Sequence, residues 1–134
     1  MPRLPSVLLV DDDTTSNFLN QLLLDRMGLA EHLLVAENGR EALDALARAC
    51  PAPGAPACPV LVLLDVNMPV MNGLEFIEAY QRLPLAQHHT PVIVVLTTSL
   101  HPRDLARLQE LPIAGLVSKP LTQEKVEAIL QQHF

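Results

Sequence analysis

Tryptophan is absent from this sequence, and aromatic residues make up only 3% of it. The core must therefore be built from Leu, Val, Ile and Ala, which suits helices packed on a parallel sheet. Basic residues are few as well: nine Lys and Arg stand against 15 Asp and Glu, for a formal charge of −6. A nucleic-acid-binding surface would be basic, so that class of partner is not expected. The chain is neither acidic enough nor apolar-poor enough for disorder. No apolar run approaches the roughly 18 residues needed to cross a bilayer. Met1 to Ser6 carries one Arg and no secretory pattern, so the expectation is a cytoplasmic protein without a membrane partner. Neither G-x-G-x-x-G nor G-x-x-x-x-G-K-[ST] occurs, so no Gly-rich phosphate loop is present. Two cysteines only, Cys50 and Cys58, flank a Pro-rich loop. With 134 residues, 49% of them hydrophobic, the chain does not need a staple. Free thiols are expected, with a disulfide as the alternative.

What is there is organised around Val60-Leu61-Val62-Leu63-Leu64-Asp65. Five apolar residues end at one carboxylate, with Pro59 before them and Pro69 after. Such a run reads as a strand buried on both faces of a parallel sheet. Asp65 then sits at the carboxyl edge, where open α/β sheets bind ligands. Its charge needs a partner, which could be a metal, a Lys, or both.

The remaining segments supply the sheet. Val7 to Val10 is a buried strand ending in Asp11-Asp12-Asp13. Three adjacent carboxylates repel one another unless a cation sits among them. Thr14 to Ser16 can cap a helix on which Phe18, Leu19, Leu22, Leu23 and Met27 recur at helical spacing, and Gly28 stops it. Leu33 to Ala36 is a strand, and 41–49 a helix with Ala42, Leu43 and Leu46 inward. The Cys50 to Pro59 segment holds four of the twelve prolines and reads as an exposed surface insertion. A helix is expected over 72–83, a polar loop at 87–90, a strand over 91–96 ending at Thr97, a short helix over 102–108, and a strand over 113–117 ending at Lys119. Thr122 caps a last helix over 123–132, with Val126, Ile129 and Leu130 inward. Five strands alternate with five helices through crossover-length connections. The expected architecture is a single domain over 1–134, a three-layer α/β sandwich with a five-stranded parallel sheet of order 2-1-3-4-5.

That topology gathers strand ends. Asp11-Asp12, Asp65, Thr97 and Lys119 fall on one edge, so carboxylates, a hydroxyl and an ammonium share one shallow pocket. The acidic cluster suits Mg²⁺, a hard cation that prefers oxygen ligands and keeps some waters. Lys119 offers a point charge for an anion and Thr97 a hydrogen bond. Such a set is suited to phosphoryl transfer, with Asp65 as the nucleophile and the metal neutralising charge on the transferring group.

Four motifs in this order and spacing then carry a resemblance: Leu9-Val10-Asp11-Asp12, the stretch Leu63 to Gly73, Leu96-Thr97-Thr98-Ser99, and Lys119-Pro120. Over about 7–133, the chain resembles a receiver domain of a two-component response regulator. The resemblance implies a flavodoxin-like receiver fold in a cytoplasmic, bacterial phosphorelay. It implies that a sensor histidine kinase or a histidine phosphotransfer protein donates a phosphoryl group to Asp65. It implies one Mg²⁺ held by the side chains of Asp12 and Asp65, by the Asn67 backbone carbonyl, and by Asp11 mostly through water. It implies that Thr97 moves to bond the phosphoryl group, that Lys119 pairs with it, and that the Lys119–Pro120 bond is cis. No output domain is expected, nor any enzymatic activity beyond the protein's own phosphorylation and dephosphorylation.

Two positions depart from the family pattern. Leu116 stands where receivers usually carry a Tyr or Phe that turns inward on phosphorylation, and Leu121 follows Lys-Pro where Phe is frequent. An aromatic rotamer switch cannot operate with Leu116. Strand four also runs one residue long, which sets Thr98 beside Thr97 as a candidate. Plainer roles compete elsewhere. Asp13 is expected to cap a helix, His88-His89 to be a solvated loop, and His101 to lie at the surface. Lys119 could be no more than a structural ion pair with Asp65. Two other functional classes remain. A phosphorylation-independent interaction module would fit the missing aromatic but not the intact acids. A haloacid-dehalogenase-type phosphotransferase needs a second Asp where Asn67 stands.

Overall fold

The structure is a computed structural model, and it describes residues 3–52, 55–66, 70–87, 89–97, 106, 109–111 and 113–134. Five strands form one sheet: β1 (Leu4–Val10), β2 (Ala30–Ala36), β3 (Leu61–Asp65), β4 (Val92–Thr97) and β5 (Gly115–Ser118). Their order is β2-β1-β3-β4-β5, and every pairing is parallel. Four helices are complete among the described residues: α1 (Thr14–Met27), α2 (Gly39–Ala49), α3 (Gly73–Gln81) and α4 (Gln123–His133). A 3₁₀ turn over Pro84–Gln87 follows α3. The helix expected over 102–108 lies outside the described residues apart from Ala106, which is helical.

Strand alternation divides the core into two layers. Leu8, Val10, Val62, Leu64 and Val95 pack with Ala42, Leu46, Phe76 and Ile77 from α2 and α3. Val7, Leu9, Leu61, Leu63, Val94 and Leu96 face the other way, against Leu24 of α1 and Val126, Ile129 and Leu130 of α4. All five residues of β3 are buried, which explains an unbroken apolar run with no polar alternation. Each fully buried Leu or Val there contributes about 1.5–3 kcal/mol. β5 is an edge strand and only half-buried.

The helix ends are defined by side chains. Asp13 caps α1 by accepting from the Thr15 N–H, and Gly28 closes it at φ +59°, a left-handed value that glycine adopts without strain. Asn38 caps α2, Thr122 caps α4, and Asn72 with Glu75 forms a reciprocal capping box on α3. Two expectations fail. On α1 the fully buried residues are Asn17 and Leu24, while Phe18 is 59% and Leu19 56% exposed. Leu23 and Met27 are half-buried and pack against the same core, so the apolar spacing follows the buried face only in part. Cys50 and Cys58, expected as free thiols, form a disulfide. The insertion folds back on itself, with the Ala55 N–H donating to Ala52 O and the Cys58 N–H to Ala55 O. The end of α2 and the approach to β3 thereby meet, with Cα atoms 4.7 Å apart. No helix among the described residues is long and apolar enough to cross a membrane.

Candidate functional site

Because the sheet is parallel, the carboxyl ends of its strands share an edge. Asp11 directly follows β1, Asp65 is the last residue of β3, Thr97 the last of β4, and Lys119 follows β5. Asp11 and Asp65 are buried, at 3% and 7% exposure, while Asp12 is exposed. One carboxylate oxygen from each of Asp11, Asp12 and Asp65 lies within 4.8 Å of the others. The Lys119 Nζ stands 2.8 Å from Asp11 Oδ2 and 3.3 Å from Asp65 Oδ1. The main chain holds this ammonium in place as well. The Lys119 N–H donates to Thr97 O, and the Lys125 Nζ donates to the carbonyls of Ser118 and Pro120 on either side. The Lys119–Pro120 peptide is cis, as expected.

The charges do not balance. Burial pushes the Asp65 carboxyl above its ordinary value, and the neighbouring Asp11 and Asp12 push the same way; Lys119 opposes them without winning. Burial alone would lower Lys119, but its bonds and charge pairing with Asp11 and Asp65 overcome that and hold it above the usual lysine value. Three carboxylates around one ammonium leave an anionic pocket lined with oxygen donors. This donor set fits a hard divalent cation. The second cluster of metal-ligating groups among the described residues, Cys50, Cys58 and His89, carries sulfur and imidazole and does not share that chemistry.

The structure thus brings together Asp11, Asp12, Asp65 and Lys119, with Thr97 at the end of the neighbouring strand. Asn67, Thr98, Ser99, His88 and His101 lie outside the described residues. Asp13 faces solvent as a helix cap. Its carboxyl is lowered first by the Ser16 hydroxyl and then by the Thr15 N–H. Leu116 lies on β5 and is 41% exposed.

Two residues support the site: Asn17, which the sequence does not single out, and Gly73, which it marks only as the end of a motif. Asn17 is buried and its Nδ2 donates to the Asp11 carbonyl at 2.8 Å, tying α1 to the acidic turn. Nothing in the sequence distinguishes it, since the same helix also carries Asn20, Gln21 and Asp25. Gly73 is required by proximity. Its N–H donates to Val66 O, and a Cβ there would stand 2.6 Å from the Asp65 carbonyl oxygen. A cleft of about 400 Å³ opens beside Lys119, lined by Ser16, Leu19, Asn20, Leu96, Pro120 and Leu121.

Comparison with known proteins gives a consistent answer. The family model described as "Response regulator receiver domain" matches residues 7–131. A sensor histidine kinase, GacS of Pseudomonas protegens, is 31% identical over 129 residues, which are 96% of this chain and 13% of the kinase. The chain therefore spans only a small part of that relative. Among solved structures, a two-component response regulator from Cytophaga hutchinsonii superposes with a TM-score of 0.83 at 29% identity, covering 98% of this chain and 97% of the other. The chemotaxis protein CheY4 of Vibrio cholerae gives 0.76 at 30% identity, covering 98% and 99%.

Proposed function

Since the chain belongs to the response regulator receiver family, we propose that Asp65 is its phosphoacceptor and that the protein signals through the phosphorylated state of this one residue. The observation that carries the proposal is a buried carboxylate at the edge of the sheet, 3.3 Å from an ammonium and crowded by two further acids. The donor is a phosphohistidine on a sensor histidine kinase or a histidine phosphotransfer protein. An Asp65 oxygen attacks phosphorus, the P–N bond breaks, the imidazole leaves, and an acyl phosphate remains. Lys119 pairs with the new phosphoryl oxygens, and the Thr97 hydroxyl donates to one of them. Asp11, Asp12 and Asp65 would hold one Mg²⁺, with the Asn67 backbone carbonyl as the further ligand that the family resemblance implies, and the ion would supply charge neutralisation for the transferring group. The exposed Leu19 lines the Lys119 cleft and, with the exposed Phe18 next to it in the chain, offers an apolar landing for the donor.

The phosphoryl group adds charge at Asp65, and the chain around Thr97 reorders to satisfy it. With Leu116 in place of an aromatic, that reordering is read by a downstream protein without a ring flip, or the group is passed on as in a relay. The protein acts on no substrate besides its own Asp65, and it works in the cytoplasm, where phosphorelay donors have their catalytic parts.

Intact mass after incubation with acetyl phosphate or phosphoramidate tests this reading. Wild type is expected to gain one Mg²⁺-dependent, hydroxylamine-sensitive phosphoryl group that Asp65→Asn lacks. No adduct with any small donor, while Mg²⁺ still binds, would leave a phosphorylation-independent interaction module.

A further inference from the structure

At the opposite edge of the sheet, where β3 and β4 begin, a second cluster plays no part in phosphoryl transfer. Cys50 ends α2, and its N–H donates to Leu46 O. Cys58 ends the Pro-rich insertion just before β3. His89 follows the 3₁₀ turn. One ligand atom from each of the three lies within 4.8 Å of the others. Both cysteines are buried, at 7% and 4% exposure, and His89 is half-buried, so one side faces solvent.

His89 is held from three directions. Its N–H donates to Leu85 O, its carbonyl accepts from the Tyr80 hydroxyl, and its Nε2 bonds Pro59 O. The last bond matters most. A carbonyl can only accept, so in the neutral imidazole Nε2 carries the proton and Nδ1 keeps the lone pair that a metal needs. A neutral imidazole that gives one N–H to a backbone carbonyl keeps its other nitrogen free of a proton, the state that metal-ligating histidines adopt. Two sulfurs whose Cα atoms stand 4.7 Å apart can both reach a single ion.

We propose that, once reduced, Cys50 and Cys58 join His89 in a Cys₂His site for Zn²⁺, so that this corner is closed either by the disulfide or by the metal. Thiolate and imidazole donors select Zn²⁺ over the hard cations that suit the acidic pocket. A dithiol reductant opens the bond. Two electrons and two protons pass to the sulfurs, and the reductant leaves as its own disulfide. Zn²⁺ then binds both sulfurs and His89, and the two thiol protons go to solvent. Water from the open side completes the tetrahedron. The insertion thereby acquires a role that depends on redox state and zinc supply, at a site separate from Asp65.

The test is anaerobic titration of the whole chain, reduced with a phosphine, using Co²⁺ as the optical probe for the Zn²⁺ site. One equivalent is expected to produce a thiolate-to-cobalt charge-transfer band with tetrahedral d–d bands, both removed by Zn²⁺. The oxygen donors of the acidic pocket cannot produce that band, so Asp65→Asn should keep it. Oxidised wild type should lack it. Cys50→Ser and Cys58→Ser should each lose it, and His89→Ala, which leaves both cysteines intact, should weaken the affinity about 10–100-fold or more. Circular dichroism accompanies each titration, and His89→Ala carries the test if a cysteine variant fails to fold. Absence of the charge-transfer band in reduced wild type would overturn the site, as would a reduced wild type that stays unfolded with Co²⁺ present. Unchanged affinity in His89→Ala would remove His89 from it.

Discussion

Asp65→Asn is expected to make the metal-free protein more stable. At an effective dielectric of about 20, the Lys119 ammonium at 3.3 Å attracts the Asp65 carboxylate by about 5 kcal/mol. The Asp11 and Asp12 oxygens, within 4.8 Å, each repel it by at least about 3.5 kcal/mol at that dielectric. Asp12 is exposed, so solvent screens its share. Attraction and repulsion then nearly cancel, and the cost of burying the charge decides the sign. Asn removes that cost and leaves Lys119 paired with Asp11 at 2.8 Å. The expected gain is about 1–2 kcal/mol, or about 3–8 °C in Tm for a domain of this size.

The sign with pH follows from linkage. Burial, Asp11 and Asp12 raise the folded pKa of Asp65 above its ordinary 3.8. A carboxyl raised in this way contributes stability that is complete below pH 3.8 and is lost as pH rises through the folded value. Asn does not titrate, so the gap between variant and wild type should close in acid and be full near neutrality. Thermal melts in chelator, at both ends of that range, measure it. A variant no more stable than wild type near neutrality would refute the charge accounting. Excess Mg²⁺ should raise the wild-type Tm and narrow the gap.

Two further substitutions probe the site's supports. Lys119→Ala leaves the buried Asp11 without its ammonium and should cost about 2–4 kcal/mol in urea unfolding, partly restored by Mg²⁺; an unchanged midpoint would make the ion pair energetically idle. Gly73→Ala forces a methyl to within 2.6 Å of the Asp65 carbonyl oxygen and 3.1 Å of the Val66 Cα. Both neighbours are backbone and cannot swing aside, so the expected outcome is a loss of about 1–3 kcal/mol and slower phosphorylation by acetyl phosphate.

Much of this protein follows from the sequence by itself. An unbroken Val and Leu run such as Val60 to Leu64 needs apolar layers on both sides, and crossover-length connections force a parallel sheet. A parallel sheet puts all its strand ends on one edge. Asp11, Asp65, Thr97 and Lys119 therefore share that edge. Local periodicity reaches no further than that. Lys119 lies closer to Asp11 than to Asp65 across 108 residues of chain, and no spacing rule contains that distance. Asn17 is buried, with its Nδ2 bonded to the Asp11 carbonyl six residues earlier, while the adjacent Phe18 is exposed, and the apolar spacing of the helix foretells neither. The Cys50–Cys58 bond and its approach to His89 depend on backbone bonds that turn the loop back upon itself, and on Tyr80 and Pro59 holding a histidine 30 residues after Pro59. Such contacts are set by the sum of many packing energies, each small. Only the assembled tertiary structure evaluates them together.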